Sequence, residues 1–183
     1  MNKFLAIMIL GLLLQGCAAT KTLTLDPLAL DGLQKVLQEG VETIISPRKA
    51  LVAIRPGANT YSSEGRPTFV VTVLNGTDES FEFSTEDIRA FVDGEPHKVF
   101  TYDELVADVK RQQPLIDRNR TEQFLSVLNT TALKKTTVLP RAWHGGYVTI
   151  GKIPDADHPH DIRVVIRAAG EEHEFLFKHL RAS

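Results

Sequence analysis

The stretch Thr68-Phe69-Val70-Val71-Thr72-Val73-Leu74, closed by Asn75-Gly76, decides the fold. Its β-branched Thr and Val side chains are stiff at χ1 and favour a pleated strand, and Asn-Gly is a turn dipeptide. Upstream, Ala50-Leu51-Val52-Ala53-Ile54 is a second apolar run ended by Pro56-Gly57. Residues 58–67 are polar and read as the loop between these two strands. Downstream, Phe81 and Phe83 alternate around Glu82, and Ser84-Thr85-Glu86-Asp87 forms a capped turn. Residues 88–92 make another strand, ended by the hairpin dipeptide Asp93-Gly94, and residues 97–100 can pair back across it.

The period then changes. Thr101-Tyr102-Asp103-Glu104 is a capping box, with a hydroxyl at the N-cap and a carboxylate three residues later. It opens a helix with Leu105, Val106 and Val109 on one face, which Pro114 ends or kinks. A second helical stretch over residues 115–128 has a fully polar middle at Asp117-Arg118-Asn119-Arg120 and reads as surface-lying. Strands resume at residues 132–139 and 146–150. The last pair forms a hairpin about Ala169-Gly170. Ile162, Val164 and Ile166 share one face of it with His173, Phe175 and Phe177, and these are the expected core.

About eight short strands interrupted by one helical insertion, at about residues 101–128, read as a mainly β fold. The expected architecture is an immunoglobulin-like antiparallel β-sandwich. The alternative is an α+β fold with the helices packed on one sheet face. The Cys and Trp landmarks of antibody domains are absent. Between residues 28 and 45, Leu30, Leu33, Leu37, Val41 and Ile44 recur at spacings of 3 or 4 and predict a short amphipathic helix. Residues 18–27 are small and polar and read as a tether.

The chain has 183 residues, 43% hydrophobic and 24% charged, with a formal charge of -2. Those values fit one globular domain and exclude a collagenous or mostly disordered chain. A pI near 6.3 leaves no basic footprint for binding nucleic acid through bulk charge. The averages hide an apolar block at the start: Lys3, then uncharged residues 4–14. That block falls short of the ~20 apolar residues a membrane-spanning helix needs and matches a signal-peptide core.

The block ends Leu14-Gln15-Gly16-Cys17. This resembles the lipobox of bacterial lipoproteins. The resemblance implies cleavage before Cys17, a diacylglyceryl group on its sulfur and acylation of the new amino terminus. Ala18, a residue other than Asp, implies delivery to the outer membrane. Cys17 is the only Cys in the chain, so no internal disulfide can form. The expected organisation is a signal peptide at 1–16, then lipidated Cys17, tether and amphipathic helix at 17–45, then a β-sandwich at 46–183. Loss of Lys3 with the signal peptide makes the mature chain one unit more negative than -2. No later apolar run approaches the length of a membrane span.

The stretch from Phe69 through Asn75 to Phe81, followed by Phe83 to Ile88, is similar to bacterial lipoproteins with an immunoglobulin-like domain. Thr137-Val138-Leu139-Pro140, Gly145-Gly146-Tyr147-Val148 and His173-Glu174-Phe175 fit the same outline. The resemblance implies a turn role for Asn75 and carries no established activity.

Chemistry-bearing patterns are sparse. His158-Pro159-His160-Asp161, with Asp155 and Asp157 just before, offers imidazole and carboxylate ligands to a divalent metal. The competing reading is a polar loop between strands, and no zinc-type spacing is present. No Gly-x-Ser-x-Gly elbow occurs, and neither does a Gly-rich phosphate loop or other cofactor motif. Trp143-His144-Gly145-Gly146 places the single Trp at a loop tip, as a plug for the sandwich or an anchor for a partner. The expectation is a non-enzymatic, lipid-anchored envelope protein facing the periplasm. It binds a protein or cell-wall partner, such as an envelope or secretion assembly, through the 101–128 insertion and the Trp143 region. The alternative is a metal-binding protein or metal-dependent enzyme using His158 and His160.

Overall fold

The computed structural model describes residues 20–38, 40–112 and 117–182. The signal peptide, Cys17 and Pro114 lie outside the described residues. In chain order the strands are β1 (Thr22–Leu28), β2 (Gln34–Gln38), β3 (Val41–Pro47), β4 (Ala50–Pro56), β5 (Tyr61–Ser62), β6 (Thr68–Asn75) and β7 (Phe81–Phe83). A 3-10 turn (Thr85–Asp87) leads to β8 (Ile88–Val92) and β9 (Glu95–His97). Helices α1 (Tyr102–Gln112) and α2 (Arg118–Thr131) follow, then β10 (Thr136–Val138), β11 (Trp143–Thr149), β12 (His160–Ala168) and β13 (Glu171–Arg181).

The strands form an antiparallel β-sandwich with a helical insertion. One sheet runs β5-β1-β13-β12-β8-β9, the other β11-β6-β4-β3-β2, and β10 pairs with β7 apart from both. β4 shows why. Ala50, Val52 and Ile54 are fully buried while Leu51, Ala53 and Arg55 are only half-covered. That period of two is a pleated strand with one face in the core. In β6, Phe69, Val71 and Val73 point inward in the same way. The expected core is confirmed. Ile162, Val164, Ile166, His173, Phe175 and Phe177 are all buried, and the Phe177 ring meets Phe69 of the other sheet at a centroid distance of 4.8 Å.

Two expectations for the N-terminal region are corrected. Residues 22–28 are no tether but strand β1, which pairs with β13 from Leu23↔Arg181 to Leu28↔Leu176. Leu23 and Leu25 alternate into the core. The amphipathic helix is replaced by the end of β1 and the β2–β3 hairpin. Gly32 and Gly40 have φ near +79° and +78° and make the turns. A helix would have had to carry both inside it at ~1 kcal/mol each. Val41, Thr43, Ile44 and Ile45 also favour strand over helix.

The helical insertion is confirmed, with shifted bounds. The Thr101 box forms, with the Thr101 amide donating to Glu104 Oε2 at 2.9 Å. The second helix starts at the Asp117 cap, whose carboxylate accepts from the Arg120 amide at 2.9 Å. It runs on to Thr131, so the strand expected over 132–139 shrinks to β10. The return strand after Gly94 is Glu95–His97 instead of 97–100.

Asn75 has the turn role its resemblance implies. Its side chain is fully buried. Nδ2 donates to the carbonyls of Glu79 (2.8 Å) and Val138 (3.0 Å), and Oδ1 accepts from the Thr77 amide (2.9 Å) and hydroxyl (2.7 Å). One amide thus closes the β6–β7 turn and ties β10 to it. Asn75→Ala strands those buried groups and should cost about 2–3 kcal/mol. Urea unfolding measures it, and a loss below about 0.5 kcal/mol would contradict this account.

Candidate functional site

The registers give the sandwich two poles. β1 begins at one, where Leu23 meets Arg181, His160 meets His179, and Lys21 pairs with Asp157. At the opposite pole lie the β3–β4 turn, Asn75, Trp143 and the β12–β13 turn. There the Lys49 amide donates to Glu171 Oε2 (3.0 Å) and Arg48 donates to the Glu172 carbonyl (2.9 Å). The candidate histidines sit at the first pole, beside an open pocket of about 550 Å³ between Lys21, Ser63 and the 152–157 loop.

His160 opens β12 and is held from two sides. Its Nδ1 lies 2.6 Å from Asp93 Oδ2, and its Nε2 lies 3.1 Å from the Asp155 carbonyl. Both partners only accept, so the ring that satisfies both carries two N–H groups and is the imidazolium. Burial alone would lower the His160 pKa. The hydrogen bonds to Asp93 and to the Asp155 backbone outweigh it, and the net shift is upward. Asp93 is correspondingly lowered, first by the His160 hydrogen bond and then by the Asp161 amide. The pair clamps the β8–β9 turn to the start of β12.

The two candidate histidines are engaged separately. His158 Nδ1 meets the Asp155 carboxylate at 2.9 Å, while His160 takes the Asp155 backbone carbonyl. Among the described residues, no three His, Cys, Asp or Glu side chains are grouped to hold a metal ion. Asp93 and a backbone carbonyl occupy the two His160 ring nitrogens.

Sequence reasoning missed His179 and Tyr61. His179 continues the inward alternation of His173, Phe175 and Phe177, and that was the available signal. Its ring is fully buried, 5.5 Å from His160 and 5.9 Å from Tyr61 by centroids. The Tyr61 hydroxyl has no hydrogen-bond partner among the described residues, and the His179 ring has only a weak approach to the His158 backbone. Burial, then the His160 charge, lowers the His179 pKa, and burial raises that of Tyr61. His173 is lowered by burial as well, and its Nδ1 meets Ser46 Oγ at 2.9 Å across the two sheets. These residues hold the interior together. Among them Ser46 Oγ is the hydroxyl that stands against an imidazole nitrogen, with both residues buried.

Trp143 is placed differently from its expected loop tip. It is the first residue of β11, paired with Leu74, and 74% exposed. It plugs nothing. With Leu139, 60% exposed, it leaves apolar surface open at the pole remote from β1. In the insertion, Phe124 and Val127 of α2 are also exposed. No helix among the described residues is long and apolar enough to cross a membrane. No protein-family model, curated protein or solved structure matches the chain.

The buried histidines fix the sign of the acid response. His173 and His179 fold as neutral rings with lowered pKa, so the stability they contribute is complete above ~6.5 and falls as pH drops through that value. His160 has a raised pKa and acts oppositely, contributing below ~6.5 and losing its contribution as pH rises through its folded value. Melting between about pH 7.5 and pH 5.5 should show a smaller acid-side fall for His179→Phe than for the wild type, and a larger one for His160→Gln. Equal falls in all three proteins would contradict these assignments.

Proposed function

We propose that the chain is a non-enzymatic, lipid-anchored envelope protein. Its sandwich serves as a binding module for a protein or cell-wall partner at the periplasmic side of the outer membrane. One observation supports this most: the separation of the two poles. β1 begins at Thr22, only five residues after Cys17. At ~3.3 Å per residue, that link spans at most ~17 Å. A lipid on Cys17 would hold the β1 pole near the bilayer and leave Trp143 and Leu139 facing away from it. Exposed Trp is the residue type most enriched at binding hot spots.

The absence of any catalytic motif in the sequence fits a binding role. The hydrogen bonds at both His160 ring nitrogens weigh for this reading over the metal-dependent alternative. Fractionation of cells carrying Cys17→Ser tests the anchor. The wild type should sit in the outer-membrane fraction and the variant in the soluble fraction. A variant that stays with the membrane would overturn lipid anchoring.

A further inference from the structure

The two outer faces of the sandwich differ in kind. On the six-stranded sheet, the outward residues include ion pairs set around Phe91, Val165 and Leu176. Arg89 pairs with Glu172 at 2.6 Å, Arg163 with Glu174 at 3.7 Å and Lys178 with Asp161 at 2.5 Å. The register of the five-stranded sheet aligns Trp143 with Leu74 and Leu51, and Tyr147 with Val70 and Arg55. Between those rows, Gly145 lies beside Thr72, Ala53 and Ile45. Across the described residues of these five strands, the outward positions hold no Asp, Glu or Lys. Among the described outward residues of these strands, Arg55 is the charged one. Val36 (39%), Leu74 (37%), Tyr147 (36%) and Trp143 are the large apolar side chains that stand out from it.

We propose that this face is the interface of a homodimer, in which the five-stranded sheets of two copies pack face to face. Three observations select a second copy as the occupant. The first is charge. A surface nearly free of charge opposes itself without repulsion, whereas a face like that of the six-stranded sheet needs a partner of matched charges. The second is area. Five strands ~4.8 Å apart and about seven residues long cover roughly 500 Å² in projection. With side-chain relief added, this approaches the ~800 Å² that one partner gives to a stable interface. The third is composition. Charge depletion with Trp and Tyr present marks interface cores, and homodimer interfaces are the more apolar kind. A two-fold operator is the commonest way for one patch to meet itself.

The dimer is independent of the lipid anchor, but it takes Trp143 and leaves Leu139 as the exposed apolar residue at that pole for another partner. Sedimentation velocity of the full chain carrying Cys17→Ser, at about 1 to about 100 µM, reads it directly. We expect a dimer that Leu51→Glu and, separately, Thr72→Lys convert to monomer. The control Thr24→Glu on the other sheet should leave it intact. The single Trp gives a second readout needing no variant, since its emission should move to the blue as the dimer forms. A monomer throughout, with red emission at every concentration, would overturn the proposal. So would a dimer unaffected by Leu51→Glu and Thr72→Lys, because the contact would then lie elsewhere. Trp emission that responds to cell-wall glycan or vesicles while the chain stays monomeric would assign the face to another occupant and equally overturn it.

Discussion

The sandwich depends on β13 pairing on both sides at once. β13 is flanked by β1 and by β12, each antiparallel to it. Its inward residues His173, Phe175, Phe177 and His179 are the surface on which the second sheet rests. A slip of one residue would send all four to solvent and bring Glu174 and Lys178 inside. The register is therefore fixed by hydrophobic burial, and everything that matters for function inherits it. It sets where β1 starts, and so where a lipid at Cys17 would attach. It also sets which pole carries Trp143.

Most of the fold was legible because alternation is a strong local signal. Thr68–Asn75, Ala50–Pro56 and the last hairpin were readable from period two, β-branched residues and turn dipeptides alone. The first 45 residues were not. Thr22-Leu23-Thr24-Leu25 alternates as plainly as any later strand, yet its polar half resembles a tether, and only pairing with the distant β13 makes it a strand. The β2–β3 hairpin misled for another reason. Spacings of three and four fit a helix face, and the glycines that forbid the helix look tolerable one at a time. Contacts distant in sequence decided both cases.

The candidate site shows the same division. The His158–His160 cluster was visible as composition, but its chemistry depends on Asp93, 67 positions from His160 in sequence. Once Asp93 and the Asp155 carbonyl hold the ring, the cluster becomes a structural clamp. Trp143 was singled out correctly as unusual and placed wrongly, because Gly145-Gly146 reads as a loop. In the structure these glycines let β11 lie close to its neighbours. A Cβ on Gly146 would stand 2.7 Å from the Leu133 amide nitrogen, and one on Gly145 would stand 2.6 Å from the Val71 carbonyl oxygen. Gly145 also keeps the outer face flat between Trp143 and Tyr147.

What links fold to function is that β1 belongs to the core. A domain zipped to its own N-terminal strand has a fixed pole near its point of attachment and a fixed pole away from it. A domain on a loose ten-residue tether has neither. Amide hydrogen exchange over residues 23–28 separates these most directly. The account predicts slow exchange at the β13-bonded amides of β1, rising to the protection of β13 itself, because the two strands open together. Exchange at those amides as fast as in an unfolded chain, with β13 still protected, would contradict it.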